Sequence, residues 1–292
     1  MERGRQAQPV GTAEPGSAPA MRDGARSRRW RGLGDAQTAV LRDILDDAVS
    51  ALVASTGREQ LDVLDAGGGT GGFAVPLASL GHHVTVIDPS PDSLAAAQRR
   101  AAEMRVPLRA VQGDAADLAA LAGEGSADVV LCHSVLEYVD SPAAAMAAIA
   151  HVLRPGGVVS VLAASAVAAV VHRALAGRFD EARRLLAGVG DGQQGTGAEQ
   201  AQLQSGPAGT GTEPAAARMR RFTLAGVTGL VEDAGLRPGA AHGIRVFTDL
   251  VPGAVADADP GAARALIELE QAASTHPAFH DFAAQFHVLG YR

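Results

Sequence analysis

The sequence predicts an α/β fold: a doubly wound, mostly parallel sheet of seven strands, with a helical cap inserted before the last two. Three observations carry this reading. Short apolar runs alternate with Ala- and Leu-rich segments of helical spacing. The first run ends directly in an acid and a glycine cluster. Two further strand-like runs follow a helical interruption.

The elements follow in order. Residues 1–31 lack periodicity and carry seven Arg against three acids. They read as a disordered extension, or more sharply as a basic arm for RNA. Thr38 to Ala54 repeats Val40, Leu41, Ile44, Leu45, Ala48, Leu52 and Val53 at helical spacing. Strand candidates are 61–64, 84–87, 108–111, 129–131 and 158–162, with helices over 92–104 and 142–153 between them. Helices over 166–176 and 179–187 come next, then a Gly-, Gln-, Thr- and Pro-rich stretch over 188–217 that reads as a mobile loop. Thr223 is placed to N-cap a helix that stops at Gly235. Residues 243–250 and 286–291 are the last strands, separated by a helix over 262–273. One domain thus spans 32–292, with 166–235 inserted as a helical cap and loop.

Composition excludes several classes. All 25 basic residues are arginine, and the net charge is -7. Setting aside the +4 of residues 1–31 leaves about -11 on the rest, a poor field for nucleic acid outside a local patch. No apolar run approaches the ~18 residues of a membrane span, so no membrane partner is expected. The Arg-containing N-terminal stretch has no apolar h-region, so no secretory signal is expected. The lone Cys132 cannot make an intrachain disulfide or a cysteine cluster, which fits a reducing cytoplasm. His82 and His83 would face opposite ways on a strand, and no metal is expected.

The strongest local signal is Asp65-Ala66-Gly67-Gly68-Gly69-Thr70-Gly71-Gly72, between a strand and a helix starting near Phe73. Glycines there permit a tight turn and close backbone approach to a ligand. Gly67, Gly69 and Gly72 match a dinucleotide loop, so a nicotinamide-dependent oxidoreductase is one alternative. Asp65, Gly67, Gly69 and Gly71 instead match the acidic-x-G-x-G-x-G loop of class I S-adenosylmethionine (SAM) methyltransferases. Asp65 favours the second reading, because a carboxylate suits a cationic methionyl end and repels a pyrophosphate. Asp88, about 20 residues on, can take ribose hydroxyls in either case.

The resemblance extends further. His133-Ser134-Val135-Leu136-Glu137-Tyr138-Val139, Leu153-Arg154-Pro155-Gly156-Gly157-Val158 and Ala174-Leu175-Ala176-Gly177-Arg178-Phe179 stand in one ordered series. With Gly243-Ile244-Arg245-Val246-Phe247-Thr248-Asp249 and Leu266-Ile267-Glu268-Leu269-Glu270, the series resembles the tRNA 5-carboxymethoxyuridine methyltransferase family over residues 36–290. That resemblance implies a Rossmann-like class I sheet with an antiparallel last strand. It implies SAM as cofactor, held by Asp65, Gly67, Gly68, Gly69, Gly71, Asp88, Asp114, Ala115 and His133. It implies methyl transfer to the carboxylate of a modified wobble uridine in tRNA. Such a step needs alignment and desolvation more than acid-base help. The family's early arginine falls here at Gln37 and its asparagine after the fifth strand at Ser165; residues 188–217 hold no basic residue where tRNA-binding members are lysine-rich. An acidic or hydroxylated small molecule therefore stands beside tRNA as acceptor.

Catalytic candidates are His133, Glu137 and Arg245. His133 reads as a cofactor contact, a base or a buried structural residue; Glu137 as a substrate-orienting group, the partner of an arginine or a helix-surface acid. Substrate-binding candidates are Tyr138, Ser165, Arg221 and Arg245. Arg245, charged within an apolar strand, reads as a carboxylate clamp, or as a residue that points to solvent or to an acidic partner.

Overall fold

The computed structural model describes residues 36–189, 219–252 and 260–292. The N-terminal extension and most of the loop expected over 188–217 lie outside the described residues, as does the side chain of Gln37. The elements are α1 (Ala36–Thr56), β1 (Asp62–Ala66), α2 (Ala74–Ser79), β2 (His83–Asp88), α3 (Pro91–Met104), β3 (Arg109–Gln112), a 3₁₀ turn (Ala115–Asp117) and α4 (Leu118–Ala122). Then come β4 (Ala127–His133), α5 (Pro142–Val152), β5 (Leu153–Ala164), α6 (Ala166–Leu175) and α7 (Phe179–Ala187). The chain continues through α8 (Leu224–Asp233), β6 (Arg237–Ile244), α9 (Pro260–Ser274), α10 (Pro277–His280) and β7 (Gln285–Tyr291).

The sheet has seven strands in the order β3-β2-β1-β4-β5-β7-β6. Strands β1 to β5 pair in parallel, and β7 runs antiparallel between β5 and β6. The order reverses between β1 and β4, the switch point where open α/β sheets place their ligands. Alternation along the strands sorts the two faces. On one face Val130 and Cys132, then Val159, Val161 and Ala163, then Val288 bury against α5 and α8. Met146 and Ile149 of α5 are fully buried there, each worth about 1.5–3 kcal/mol. On the other face lie His133, Ser160, Leu162 and His287, and α1 packs against β5 and β6.

Helix starts follow capping chemistry. Ser90 and Ser141 each accept a backbone N–H and stand before a proline, which opens α3 and α5. Thr223 caps α8 as expected, accepting from Gly226 N–H at 3.1 Å. Within 166–235, α6 and α7 pack on each other, while α8 buries Val227, Leu230 and Val231 in the main core.

Two segments differ from expectation. The fifth strand, expected over 158–162, spans Leu153–Ala164, so the Arg154 to Gly157 block belongs to its start. Arg154 ion-pairs with Asp62 and Asp128 at 2.8 Å each, and Arg58 clasps Asp128 at 2.6 Å. The block thus stitches together the starts of β1, β4 and β5. The sixth strand occupies Arg237–Ile244, not residues 243–250. It stops because Arg245 takes a left-handed φ of 59°. The N–H groups of Val246, Phe247 and Thr248 then all turn onto the Glu270 carboxylate of α9, at 2.6–2.9 Å.

Candidate cofactor and acceptor site

A cavity of about 360 Å³ opens at the carboxyl ends of β1, β4 and β5, within the size range of small-molecule sites. Asp65, Gly67, Gly68, His133 and Arg245, all candidates named from the sequence, are among the residues that line it. Gly72 and Ile244 line it too. Thr38 and Leu41 of α1, Phe73, Ser134, Leu162 and Gln285 complete the lining. These were not legible as site residues.

The glycine loop is shaped by its own amides. Gly67 N–H donates to Ile87 O at 2.7 Å, and Gly71 N–H to Gly68 O at 2.9 Å. Gly67 has a φ of +68°, and a Cβ there would lie 2.4 Å from Val135 Cγ2. A Cβ on Gly68 would fall 2.5 Å from the Asp65 carboxyl. Neither position admits a side chain, which leaves bare backbone on this part of the cavity wall. Asp88 lies beneath the loop and accepts from Gly69 N–H and Ser90 N–H at 2.9 Å each. Asp114 and Ala115 follow β3 farther along the same sheet edge; Asp114 is exposed and accepts from Ala116 N–H at 3.0 Å.

Electrostatics single out Asp65. Burial, and then the neighbouring Asp88, push its carboxyl up to about 7. A buried acid poised there gains most from a cationic ligand. His133 is held neutral by burial, its pKa down to about 3. Its ring meets Phe73 edge-on at 4.9 Å, Nε2 lies 2.7 Å from Ser160 Oγ, and Nδ1 is buried without a partner.

The acceptor-side candidates divide. Arg245 reaches the cavity, yet its guanidinium also ion-pairs with Asp249. Glu137 is no helix-surface acid: it is 3% exposed, and Oε1 accepts from Ala164 N–H at 2.7 Å. Burial raises its pKa against those backbone bonds. Arg221 is partly buried, with its pKa lowered by burial and by the nearby Arg173. Tyr138 is exposed and touches Met219 Sδ. Ser165 is not among the residues lining the cavity: it is fully buried at the junction of β5 and α6 and caps that helix, accepting from Ala168 N–H at 3.0 Å. Cys132 is buried and its thiol is pushed up, which makes it inert.

Sequence reasoning passed over Arg42, Ser160, His242 and Glu270, all buried polar groups. Arg42 lies one helical turn after Thr38 on α1, which places a cation on the cavity helix despite Gln37. The signal was there, in a charge within an apolar helical stripe. Among the described residues no His, Cys, Asp and Glu cluster fits a metal, and no helix is long and apolar enough to cross a membrane.

Residues 64–161 match a family model described as a methyltransferase domain. The tRNA 5-carboxymethoxyuridine methyltransferase of Escherichia coli K12 is 35% identical over 149 residues, which is 50% of this chain and 55% of that protein. The ubiquinone biosynthesis O-methyltransferase of Xanthomonas campestris is 36% identical over 135 residues, 46% of this chain and 55% of that protein. The chain spans about half the length of these curated relatives. The magnesium protoporphyrin IX methyltransferase of Synechocystis, solved with bound S-adenosylhomocysteine, matches with a TM-score of 0.51 at 19% identity. That match covers 91% of this chain and 93% of that one, and shows a shared fold.

Proposed function

We propose that this chain, a class I S-adenosylmethionine-dependent methyltransferase by domain and fold, moves a methyl group to an oxygen of an acidic acceptor. The buried Asp65 beside side-chain-free Gly67 and Gly68 carries the cofactor part of the reading. SAM supplies an activated methyl on a sulfonium. Asp65 offers the counter-charge for its ammonium end, and the same carboxylate disfavours a dinucleotide pyrophosphate. Asp88 holds the loop in shape through Gly69 and has remaining lone pairs for ribose hydroxyls. His133, Phe73 and Leu162 line the cavity wall. Arg245 stands where it can align an anionic acceptor, with Arg221 as a second cation outside the cavity lining.

The Escherichia coli relative supports a carboxylate on a modified wobble uridine as acceptor. The ubiquinone-biosynthesis relatives support a hydroxyl on a smaller molecule, as does the buried, unpartnered His133 Nδ1, which suits a group that gives up a proton. Calorimetric titration with SAM and S-adenosylhomocysteine tests the first step; binding no tighter than millimolar would reject it. Deleting the gene and profiling tRNA nucleosides by mass spectrometry tests the tRNA acceptor. An unchanged profile, with methylation found in a screen of hydroxylated and carboxylated small molecules, would leave the second reading.

A further inference from the structure

On the cavity face of the sheet, the strand register places His133, Leu162, His287 and His242 side by side across β4, β5, β7 and β6. Ser160 lies two residues before Leu162 and so shares that face. The polar members join up. His133 Nε2 lies 2.7 Å from Ser160 Oγ, which lies 2.8 Å from His287 Nε2. His287 Nδ1 lies 3.2 Å from His242 Nδ1. Ser160 and His287 are essentially without solvent contact, and His242 is 9% exposed. Aliphatic residues would fill such a row at no desolvation cost, so three imidazoles and a hydroxyl in register call for another role.

We propose that His133, Ser160, His287 and His242 form a proton relay from the cofactor cavity to β6, fitting the site to an acceptor oxygen that arrives as a hydroxyl. This rests on the methyltransferase reading above and chooses between its acceptors. One polarity satisfies every link: His133 Nε2–H donates to Ser160, Ser160 O–H to His287 Nε2, and His287 Nδ1–H to His242 Nδ1. It leaves His133 Nδ1 a bare lone pair, the cheaper of the two ways to be without a partner in the interior.

The transfer step balances. The acceptor O–H gives its proton to His133 Nδ1 while its electron pair forms the new bond to the methyl carbon. The methyl–sulfur bond breaks, and its pair stays on sulfur as neutral S-adenosylhomocysteine. Each link passes one proton onward, so His133 ends neutral and the charge rests on His242. A buried His133 alone could not keep that charge. At the outlet His242 is disfavoured as a cation by its own burial and then by His280 of α10, so the charge has to leave through its 9% exposed edge; at the inlet Asp65 and Arg245 line the cavity, the latter paired with Asp249. A carboxylate acceptor has no proton to remove and no use for the row.

The test uses the full chain labelled with ¹⁵N-histidine and saturated with S-adenosylhomocysteine. The relay predicts one tautomer each at neutral pH: protonated Nε2 on His133, protonated Nδ1 on His287 and protonated Nε2 on His242. Ser160→Ala should release His133 into a tautomer mixture, and Ser160→Thr should restore the single form. Mixed tautomers in the parent, or ring nitrogens of His133 indifferent to Ser160→Ala, would overturn the relay. With an acceptor from the small-molecule screen, Ser160→Ala should slow ether formation by about 10²-fold and move its pH profile upward, with SAM affinity kept. A methyl ester formed equally fast by parent and variant would overturn the hydroxyl assignment. Intact SAM binding without any turnover would defeat the methyltransferase reading instead, while the tautomers still decide the relay.

Discussion

Replacing Asp65 with asparagine isolates the most perturbed acid in the cavity. Its carboxyl is raised from 3.8 to about 7 by burial and by Asp88. The native state therefore holds a proton that the unfolded state has lost, and stability falls as pH rises between those values. At 1.36 kcal/mol per pH unit the window amounts to roughly 4 kcal/mol, and Asp65→Asn should remove it. Urea unfolding of parent and variant at half-unit steps from pH 4 to 8, without cofactor, measures the difference. The variant should gain stability over the parent steadily up to about pH 7 and no further. SAM should show the opposite pH dependence, because its ammonium favours the ionised acid. Parent affinity should rise through about pH 7, and the variant should be flat and weaker by about 1.5–3 kcal/mol, the worth of a charged hydrogen bond. Parallel stability curves for the two proteins would refute the reasoning.

Three further outcomes follow from the geometry. Gly67→Val should abolish SAM binding in calorimetry, since even its Cβ meets Val135 at 2.4 Å and φ is +68°. Arg154→Ala should cost about 2 kcal/mol in urea unfolding and leave SAM affinity unchanged, because it links Asp62 and Asp128 at the strand starts, away from the cavity. Glu270→Ala should strip three backbone N–H groups and the Thr248 hydroxyl of their acceptor. Faster amide exchange over residues 246–248 and a raised KM for an anionic acceptor, through displacement of Arg245, would be the result.

Strands β1, β2, β4 and β5 were legible because buried parallel strands are written as short apolar runs with abrupt polar ends. The glycine loop was legible because its chemistry is local. What failed was non-local. Residues 243–250 alternate like a strand, yet Glu270 draws their amides away from any neighbouring strand. Tertiary contact overrides β propensity there. Glu137 read as a helix-surface or substrate-orienting acid because no local pattern announces that its carboxylate caps the end of β5 at Ala164. Ser160 and His242 look like ordinary strand residues until the strand order brings β7 between β5 and β6.

That same placement of β7 bears on how the chain folds. Strand β7 belongs between two strands that precede it, its nearest pairings being Gln285 with Ala164 of β5, 121 positions away, and Gln285 with Ile244 of β6, 41 positions away. Until residues 285–291 dock, β5 and β6 each present an open edge of backbone donors and acceptors. Val158 to Ala164, seven residues with one polar member, would be the stickiest such edge. Folding should therefore show a late, slow phase in which β7 inserts, and misassembly in that interval should proceed by intermolecular pairing at β5.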